Sequence, residues 1–279
     1  MQKIENTRIS GSKHRPISLD IYYNEAVKNQ PIVIFFHGFK GFKNWGYFNL
    51  VAEHFAKNNF MFISYNSSYN GVSPEYPSDF VDLEAFANNN FQIELDDLGL
   101  VVDYAQEIAI KYNGNKNEIY IIGHSRGGGI AILKTNEDKR IKKLCTWASV
   151  KDVADFFASQ DLEKWKEDGT IYTFNSRTQQ NMPLHFQIYE NYIANAARLD
   201  IPKAATTIDV PWLIVHGTND ISVPYYFAEQ LHEWNTNSKL FTIENADHTF
   251  GGKHPWNSTE LPVDAKIVVE KCVAFFKSI

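Results

Sequence analysis

Cysteine is scarce in this sequence, with two residues among 279. Cys145 and Cys272 are far apart along the chain and each lies in an apolar stretch, which fits neither a disulfide framework nor a metal-ligand spacing. A free cysteine usually behaves as a small apolar residue of the core. We therefore expect two buried free thiols, and neither a metal nor a cofactor.

Long apolar runs and an excess of positive charge are also lacking. The first residues, MQKIENTRIS, contain no apolar signal-peptide core, and no run approaches the length of a membrane span. The net charge of −6 argues against a nucleic-acid partner, and the basic cluster at residues 139–143 is typical of a solvated helix end. We expect a soluble, cytoplasmic protein, although a signal peptide removed beforehand would leave no trace. The sequence does not decide whether the protein forms a homodimer.

Apolar runs and helical stretches alternate along the chain, which is 44% hydrophobic. The runs that predict strands are residues 17–23, 31–36, 60–65, 119–122, 141–148, 211–216 and 239–244. Apolar residues at helical spacing predict helices over residues 44–58, 91–111, 224–234 and 264–277. The first run alternates as an antiparallel edge strand does, whereas several others are continuously apolar, as in a sheet covered on both faces. This order predicts an α/β fold with a mostly parallel, doubly wound sheet.

Two stretches interrupt this alternation. Residues 66–90 are rich in Asn, Ser and Pro, and are too polar for a core element. Residues 151–205 are aromatic and lie between two predicted strands, so we interpret them as a cap inserted into a core of residues 1–150 and 206–279. Within the cap, GTIYTFNSRTQQNMPLHFQIYENY predicts a β-hairpin followed by a short helix.

A single serine is surrounded by glycines at the end of one predicted strand. Ser125 lies in GHSRGG, residues 123–128, after an apolar run and before a helix-like segment. A tight strand-to-helix turn strains its central residue, requires small neighbours and exposes the hydroxyl to a base. Ser125 is therefore the predicted nucleophile, and the alternative is an ordinary Gly-rich loop.

A serine nucleophile needs an adjacent base that is oriented by a carboxylate. Two loops that follow later strands contain such groups, Asp220 in HGTNDISVP and His248 in NADHTF. Because both follow carboxyl ends of strands, we expect them to meet Ser125. Asp220 could instead form a turn, with Asp152 as the alternative acid. Asp247 is disfavoured, since a carboxylate seldom reaches the imidazole of its own neighbour productively.

Other histidines lie near the predicted strand ends. His37, His124 and His216 stand beside glycines and are predicted to support loop geometry. His185 and His254 have no comparable setting, but we consider both as further residues that could reach the site.

The motifs GHSRGG, HGTNDISVP and NADHTF, with HGFKG at residues 37–41, resemble those of the α/β-hydrolase superfamily. The resemblance is greatest to dienelactone-hydrolase-like and prolyl-oligopeptidase-like serine hydrolases, including acyl and cinnamoyl esterases, and it covers the chain outside the cap from about residue 15. It implies the α/β-hydrolase fold and, as oxyanion-hole donors, the backbone amides of Phe39 and Arg126. The dienelactone hydrolases proper use cysteine where this chain has Ser125.

The expected function is therefore that of a serine esterase acting on a small-molecule ester with a small to medium apolar or aromatic acyl group. Most cap aromatics should pack the cap, and a minority should line an acyl site; they are Phe156, Phe157, Trp165, Tyr172, Phe174, Phe186, Tyr189 and Tyr192. The cap has no evident acidic pair for a substrate ammonium, and we expect its acidic residues, including Asp155, on a solvated helix. The alternatives are a serine peptidase for short peptides and a non-catalytic binding protein on the same fold.

Overall fold

A mixed eight-stranded sheet runs through the centre of the computed structural model, which describes residues 1–278. Its strands are β1 (Gln2–Ser10), β2 (Pro16–Tyr23), β3 (Gln30–Phe36), β4 (Met61–Asn66), β5 (Gly114–His124), β6 (Ile141–Trp147), β9 (Trp212–Gly217) and β10 (Lys239–Ile243). The spatial order is β1-β2-β4-β3-β5-β6-β9-β10. Neighbouring strands are parallel along the part of this order that reads β4-β3-β5-β6-β9-β10. Strand β2 pairs antiparallel with both β1 and β4. This is the predicted mostly parallel sheet of an α/β-hydrolase fold.

Helices cover both faces of the sheet. They are α1 (Phe48–Lys57), α2 (Leu83–Ala87), α3 (Phe91–Ile108), α4 (Arg126–Glu137), α5 (Leu162–Asp168), α6 (Gln187–Ala194), α7 (Ile201–Thr207), α8 (Tyr226–Trp234) and α9 (Val263–Lys277). Two apolar clusters result, one beneath α3 and α4 and the other beneath α1 and α9. Within residues 1–278, no helix combines the length and the apolar character needed to cross a membrane.

The continuous apolar runs are explained by this double coverage. Along β3, Ile32 and Ile34 pack into the first cluster, whereas Val33 and Phe35 pack into the second. Because successive side chains of a strand point to opposite faces, a strand covered on both faces must be apolar at every position.

Two features of the fold differ from the sequence-based prediction. Strand β1 was not predicted, and it rather than residues 17–23 forms the sheet edge. Residues 66–90 contain α2 and are more buried than their polarity indicates. Several of their polar groups find partners in the protein: the amide of Ser68 donates to Oδ2 of Asp97 at 2.6 Å, and Nδ2 of Asn66 donates to the carbonyl of Pro77 at 3.1 Å. Such partners reduce the cost of burying a polar segment.

The predicted hairpin is present and lies outside the main sheet. It consists of β7 (Thr170–Asn175) and β8 (Gln180–His185), which pair antiparallel, and α6 follows as expected. The hairpin contacts the polar segment 66–90: Gln180 Nε2 donates to the carbonyl of Phe80 at 3.1 Å, and Arg177 Nη2 to that of Ser78 at 3.2 Å. The two interruptions of the strand–helix alternation thus pack against each other.

Both cysteines are buried free thiols, as predicted. Their sulfur atoms lie 3.1 Å apart between β6 and α9, and Trp147 Nε1 donates to Sγ of Cys272 at 3.1 Å.

Candidate active site

Ser125 occupies the turn between β5 and α4, where the sequence predicted a strand-to-helix junction. Its φ of 56° and ψ of −123° lie outside the regions that non-glycine residues usually adopt. Such a conformation costs about 1–3 kcal/mol and persists only where the surroundings enforce it. One such constraint is the hydrogen bond from the Ser125 amide to the carbonyl of Trp147, 2.8 Å long.

Two glycines allow the loop after β3 to approach this turn. A Cβ atom on Gly38 would lie 2.8 Å from Cβ of Ser125, and one on Gly127 would lie 2.4 Å from the carbonyl oxygen of His37. Neither distance is tolerable for real side chains. The HGFKG loop therefore lies directly against Ser125 because these positions carry no side chain.

Asp220 and His248 are brought together from the loops after β9 and β10. Nδ1 of His248 and Oδ2 of Asp220 are 2.7 Å apart, and the Asp220 side chain is fully buried. An ionised carboxylate only accepts hydrogen bonds, so Nδ1 carries the proton and Nε2 of His248 is left as the basic nitrogen. This is the tautomer that a general base needs.

Asp220 is held by further donors that fix its charge and its orientation. Oδ1 accepts hydrogen bonds from the amides of Ser222 (2.9 Å) and Val223 (2.8 Å). Nε2 of His216 lies 2.9 Å from the Val223 carbonyl, so it is protonated, and it also lies 3.2 Å from Oδ2 of Asp220. Burial raises the pKa of the Asp220 carboxyl, but the hydrogen bonds from His216 and His248 outweigh it and hold that pKa well below its usual range.

The loops after β9 and β10 are joined by backbone hydrogen bonds. The amide of Asn219 donates to the carbonyl of Ala246 at 3.0 Å, and that of Thr218 donates to the carbonyl of Ile243 at 3.1 Å. Asp247 shapes the second loop, since its Oδ1 accepts from the amides of Thr249 and Gly251, each at 2.9 Å. Its carboxylate is thus engaged by the backbone next to His248.

The three histidines that were predicted to support loops do so. Nε2 of His124 donates to the carbonyl of His248 at 2.9 Å, and Nδ1 of His37 donates to that of Gly38 at 2.8 Å. Burial lowers the pKa of His124 to about 3 and that of His37 to about 4, so both rings are neutral at pH 7. His216 additionally contacts Asp220, which the sequence did not indicate.

Ser125 and His248 line the same two cavities. Within the described residues, no hydrogen bond joins the Ser125 hydroxyl to the His248 ring. Such bonds are often long in structures without substrate and shorten when the substrate binds. The structure thus places both residues at the same two cavities and joins His248 to Asp220.

The two cavities differ in size and lining. The larger, about 440 Å³, is lined by Phe39, Lys40, Phe91, Ser125, Arg126, Val150, Asp152, Asp155, Phe156, Ser222, Val223, Phe227 and His248. The smaller, about 120 Å³, is lined by Gly38, Phe39, Lys40, Gly41, Trp45, Phe48, His124, Ser125, His248 and Thr249. A group attached at Ser125 therefore has a wide and a narrow compartment beside it.

Two acidic residues line the larger cavity. Asp155 was expected on a solvated helix, and it is exposed on the short 3-10 helix Ala154–Phe156, where it pairs with Lys151 at 3.3 Å. Asp152, the alternative acid of the site, also lines the cavity and accepts from the amide of Ala154 at 2.9 Å. Asp220 is the carboxylate bonded to His248.

Few cap aromatics reach the cavity. Phe156 lines it, whereas Phe157 and Trp165 are buried in the cap and Tyr172 and Phe174 are exposed. Phe186, Tyr189 and Tyr192 pack against the same apolar cluster as Phe157 and Trp165, so five of the eight aromatics have a packing role and the exposed Tyr172 and Phe174 do not.

The two further histidines that were considered lie elsewhere. Among the described residues that line the two cavities, neither His185 nor His254 is found. Nδ1 of His185 lies 2.8 Å from Oγ1 of Thr170 across the hairpin, and Nδ1 of His254 accepts from the amide of Gly46 at 2.8 Å. Within residues 1–278, no group of three or more His, Cys, Asp or Glu side chains could hold a metal ion.

Comparison with known proteins gives one family match and many matches in fold. The BD-FAE family model matches residues 19–235, a segment that includes Ser125 and Asp220 and ends before His248. No curated protein was found to match the chain in sequence.

Several solved structures share the fold at low sequence identity. Est1E from Butyrivibrio proteoclasticus, with ferulic acid bound, is 19% identical with a TM-score of 0.70 over 96% of this chain and 97% of its own. A putative dienelactone hydrolase from Klebsiella pneumoniae subsp. pneumoniae is 17% identical, with a TM-score of 0.63 over 100% and 99%. A puromycin-hydrolyzing peptidase from Mycobacterium tuberculosis is 15% identical, with a TM-score of 0.67 over 99% of this chain and 39% of that chain.

Proposed function

Since this chain belongs to the BD-FAE family and has the α/β-hydrolase fold, we propose that it hydrolyses carboxylic esters through an acyl-enzyme on Ser125. The observation that carries the proposal is the 2.7 Å contact between His248 Nδ1 and Asp220 Oδ2, in a cavity that Ser125 also lines. If Asp220 only formed a turn, it would not need a hydrogen bond to a histidine that lines the same cavity as the strained Ser125.

In the proposed reaction, Oγ of Ser125 attacks the ester carbonyl carbon while Nε2 of His248 takes the hydroxyl proton. The resulting imidazolium is stabilised by Asp220, whose carboxylate is ionised at neutral pH because its pKa is depressed. The tetrahedral intermediate collapses as His248 returns the proton to the departing alkoxide, and an acyl-enzyme and a free alcohol result. Water, deprotonated by the same imidazole, then attacks the acyl carbon. The bond between this carbon and Oγ of Ser125 breaks, His248 returns the proton to Oγ, and the acid is released.

The oxyanion is proposed to lie between the backbone amides of Phe39 and Arg126. Both residues line the larger cavity with Ser125, and Arg126 begins α4, so its amide is a free donor at a helix N-terminus. The contact of Gly38 with Ser125 brings the Phe39 amide into the same region. Removing one such donor typically costs about 10²–10³ in rate.

The cavities favour an ester with one bulky and one small group. Phe39, Phe91, Phe156 and Phe227 give the larger cavity aromatic walls, which suit a medium-sized apolar or aromatic group. The related fold of Est1E holds ferulic acid, an aromatic acid, in its own structure. The substrate class that we propose is therefore an ester of a medium-sized or aromatic acid.

A second candidate function is hydrolysis of peptides with a free N-terminus. It is favoured by Asp152 and Asp155, because a carboxylate in the substrate cavity can hold an ammonium group. Asp155 is already paired with Lys151, however, which leaves Asp152 as the carboxylate free of an ion pair. One carboxylate that also caps a turn is weaker support than an acidic pair would be.

The two candidates are separated by a matched ester and amide of one acyl group, because anilides are intrinsically harder to cleave. We expect kcat/KM for p-nitrophenyl esters of short-chain or aromatic acids to exceed that for aminoacyl p-nitroanilides by at least about a hundredfold. Ser125→Ala should leave at most the small residual rate that binding and the oxyanion hole supply. If the matched amide reacts as fast as its ester, the proposed esterase function is wrong and the peptidase function replaces it. A folded protein that cleaves neither would indicate a binding protein.

A further inference from the structure

The side chain of Arg126 carries hydrogen-bond donors that the described chain does not use. The residue is 5% exposed, and its Nε donates to Oε2 of Glu94 at 2.8 Å. Nη1 and Nη2 are fully buried, and within residues 1–278 neither has a hydrogen-bond partner. Since each of these nitrogens bears two hydrogens, most of the donors of the guanidinium are unused.

Three phenyl rings enclose these unused donors. The guanidinium carbon lies 3.9 Å from the ring centroid of Phe91, 5.3 Å from that of Phe156 and 5.4 Å from that of Phe39. Ring faces stabilise a cation, but they lack the lone pair that an N–H donor needs. All three rings line the larger cavity together with Arg126 and Ser125. The unused donors therefore lie directly behind the aromatic wall of the larger cavity.

Buried donors without acceptors are costly and rare in folded proteins. Each costs about 1–3 kcal/mol, and each one retained in a native structure requires an explanation, such as a catalytic role or a bound partner. An acceptor brought by the substrate would satisfy the donors, and it would place that substrate group against the cavity wall. A site with unsatisfied donors discriminates strongly against analogues that lack the acceptor.

Charge decides which acceptor fits. Glu94 is buried and already neutralises the guanidinium, and its Oε1 accepts from Nδ2 of Asn89 at 2.7 Å. A substrate carboxylate at these nitrogens would bring a second negative charge beside the buried Glu94, which is expensive, and Lys40 of the same lining donates to the hairpin at the carbonyl of Phe174. A neutral oxygen accepts the same hydrogen bonds at no such cost.

We propose that the ester group bound in the larger cavity carries a neutral oxygen acceptor, such as an ether, hydroxyl or carbonyl oxygen, and that Nη1 and Nη2 of Arg126 donate to it. Arg126 is then a specificity-determining residue as well as an oxyanion donor. Phe156, on the short 3-10 helix Ala154–Phe156 and partly exposed, is the ring that turns aside to admit the oxygen. This inference rests on the proposed ester hydrolysis.

The test compares isosteric esters that differ in one oxygen. One series is p-nitrophenyl hexanoate and its analogues in which an ether oxygen replaces the third, fourth or fifth chain atom. A second series varies the alcohol of acetate esters in the same way, in case the alcohol occupies the larger cavity. A hydrogen bond from a charged donor predicts that the best oxygen-containing ester exceeds its parent in kcat/KM by at least about tenfold. Because both esters are measured on the same sample, the ratio of their kcat/KM values does not depend on the folded fraction of the protein.

Variants separate the guanidinium from the intrinsic reactivity of the esters. Glu94→Gln keeps both Nη donors, so the preference for oxygen should persist. Arg126→Met combined with Glu94→Gln removes the donors and leaves no unpaired charge. The ratio of kcat/KM between the oxygen-containing ester and its parent should then fall to the ratio of their uncatalysed hydrolysis rates. Arg126→Lys, which keeps the charge beside Glu94 without the planar fork, should also lower it.

The outcomes distinguish this inference from the function on which it rests. Ester hydrolysis with no preference for oxygen in either series, or a preference that survives in the double variant and in Arg126→Lys, would overturn the role of Arg126 alone. Absence of ester hydrolysis in the folded wild-type protein would overturn the proposed function instead.

Discussion

Nε2 of His124 donates a hydrogen bond to the carbonyl oxygen of His248 at 2.9 Å, and the two imidazole rings lie 4.9 Å apart. The residue directly before the proposed nucleophile thus fixes the backbone of the proposed base, 124 positions later in the chain. A protonated His124 ring would keep this hydrogen bond, but a second cation beside His248 would disfavour protonation of that base, so the proposed mechanism requires a neutral His124.

Burial of the His124 ring, rather than this hydrogen bond, makes the stability of the protein dependent on pH. Burial lowers the pKa of His124 from 6.5 to about 3, so the unfolded chain binds a proton more readily than the folded one between these values. The stabilisation is fully present above pH 6.5 and is lost progressively as the pH falls toward about 3. His124→Gln, which can still donate to the His248 carbonyl, should reduce the loss between pH 7.5 and 4.5 by about 2–3 kcal/mol.

Urea unfolding midpoints of the two proteins at these pH values measure the difference. Part of the dependence of stability on pH should remain in both proteins, because burial also lowers the pKa of His37, to about 4. An identical pH dependence in wild type and His124→Gln would show that His124 is not held neutral by burial.

The carboxylate that orients His248 should be Asp220. Asp220→Asn keeps the volume of the side chain but no longer fixes the Nδ1–H tautomer of His248, so kcat should fall by about 10⁴. Asp152→Asn should change kcat by less than about tenfold, since Asp152 lines the cavity without contacting His248. Steady-state kinetics on one ester, with circular dichroism as a control for folding, decide the matter. The reverse ranking would make Asp152 the acid.

The close approach of Gly38 to Ser125 should be essential for activity. Gly38→Ala places a Cβ atom 2.8 Å from Cβ of Ser125, which must displace either the serine or the HGFKG loop. We expect kcat/KM to fall by at least about a hundredfold, because a displacement of about 1 Å at a reacting group has that effect.

Gly169→Ala is the matched control for the preceding variant. Gly169 has φ +71° and no atom within 4 Å of an added Cβ, so alanine there strains the backbone without touching the site. It should cost about 1 kcal/mol in stability and leave kcat/KM unchanged. Equal activity of Gly38→Ala and wild type would contradict the proposed geometry of the loop.

The two cysteines should be unreactive in the folded protein. Both are fully buried, and burial raises the pKa of the Cys145 thiol, which removes the reactive thiolate. A thiol reagent such as a maleimide should label neither residue under native conditions and both after denaturation, as counted by intact-protein mass. Rapid labelling of the native protein would show that the contact between β6 and α9 opens.

The sequence predicts this fold well where local pattern and burial coincide. The apolar runs that become β3 to β6 and β9 are buried on both faces, β10 at the sheet edge is only partly buried, and Ser125 lies at the predicted strand-to-helix turn. Strand β1 was missed because its side chains are mostly exposed, so its nine residues carry no apolar pattern. Its pairing depends on the unpaired edge of β2, which is a property of the assembled sheet.

The parts of the site that the sequence did not reveal come from long-range packing. Arg126 is enclosed by Phe91 and Phe156, which belong to separate segments, and no local motif indicates that enclosure. Asp155 is exposed, as its sequence neighbourhood indicates, but the sequence did not reveal that it also lines the cavity. The division into a core and a cap of residues 151–205, and the catalytic roles of the site residues, remain predictions.

The central claim is that Ser125 is the nucleophile of a serine hydrolase, and a fluorophosphonate probe tests it most directly. The probe is attacked by an activated serine and forms a stable adduct, which mass spectrometry locates on a single peptide. Our account predicts one adduct per chain, on Ser125 in the peptide that contains GHSRGG, and no adduct on the Ser125→Ala protein. Labelling of a different serine, or no labelling of the folded wild-type protein, would contradict it.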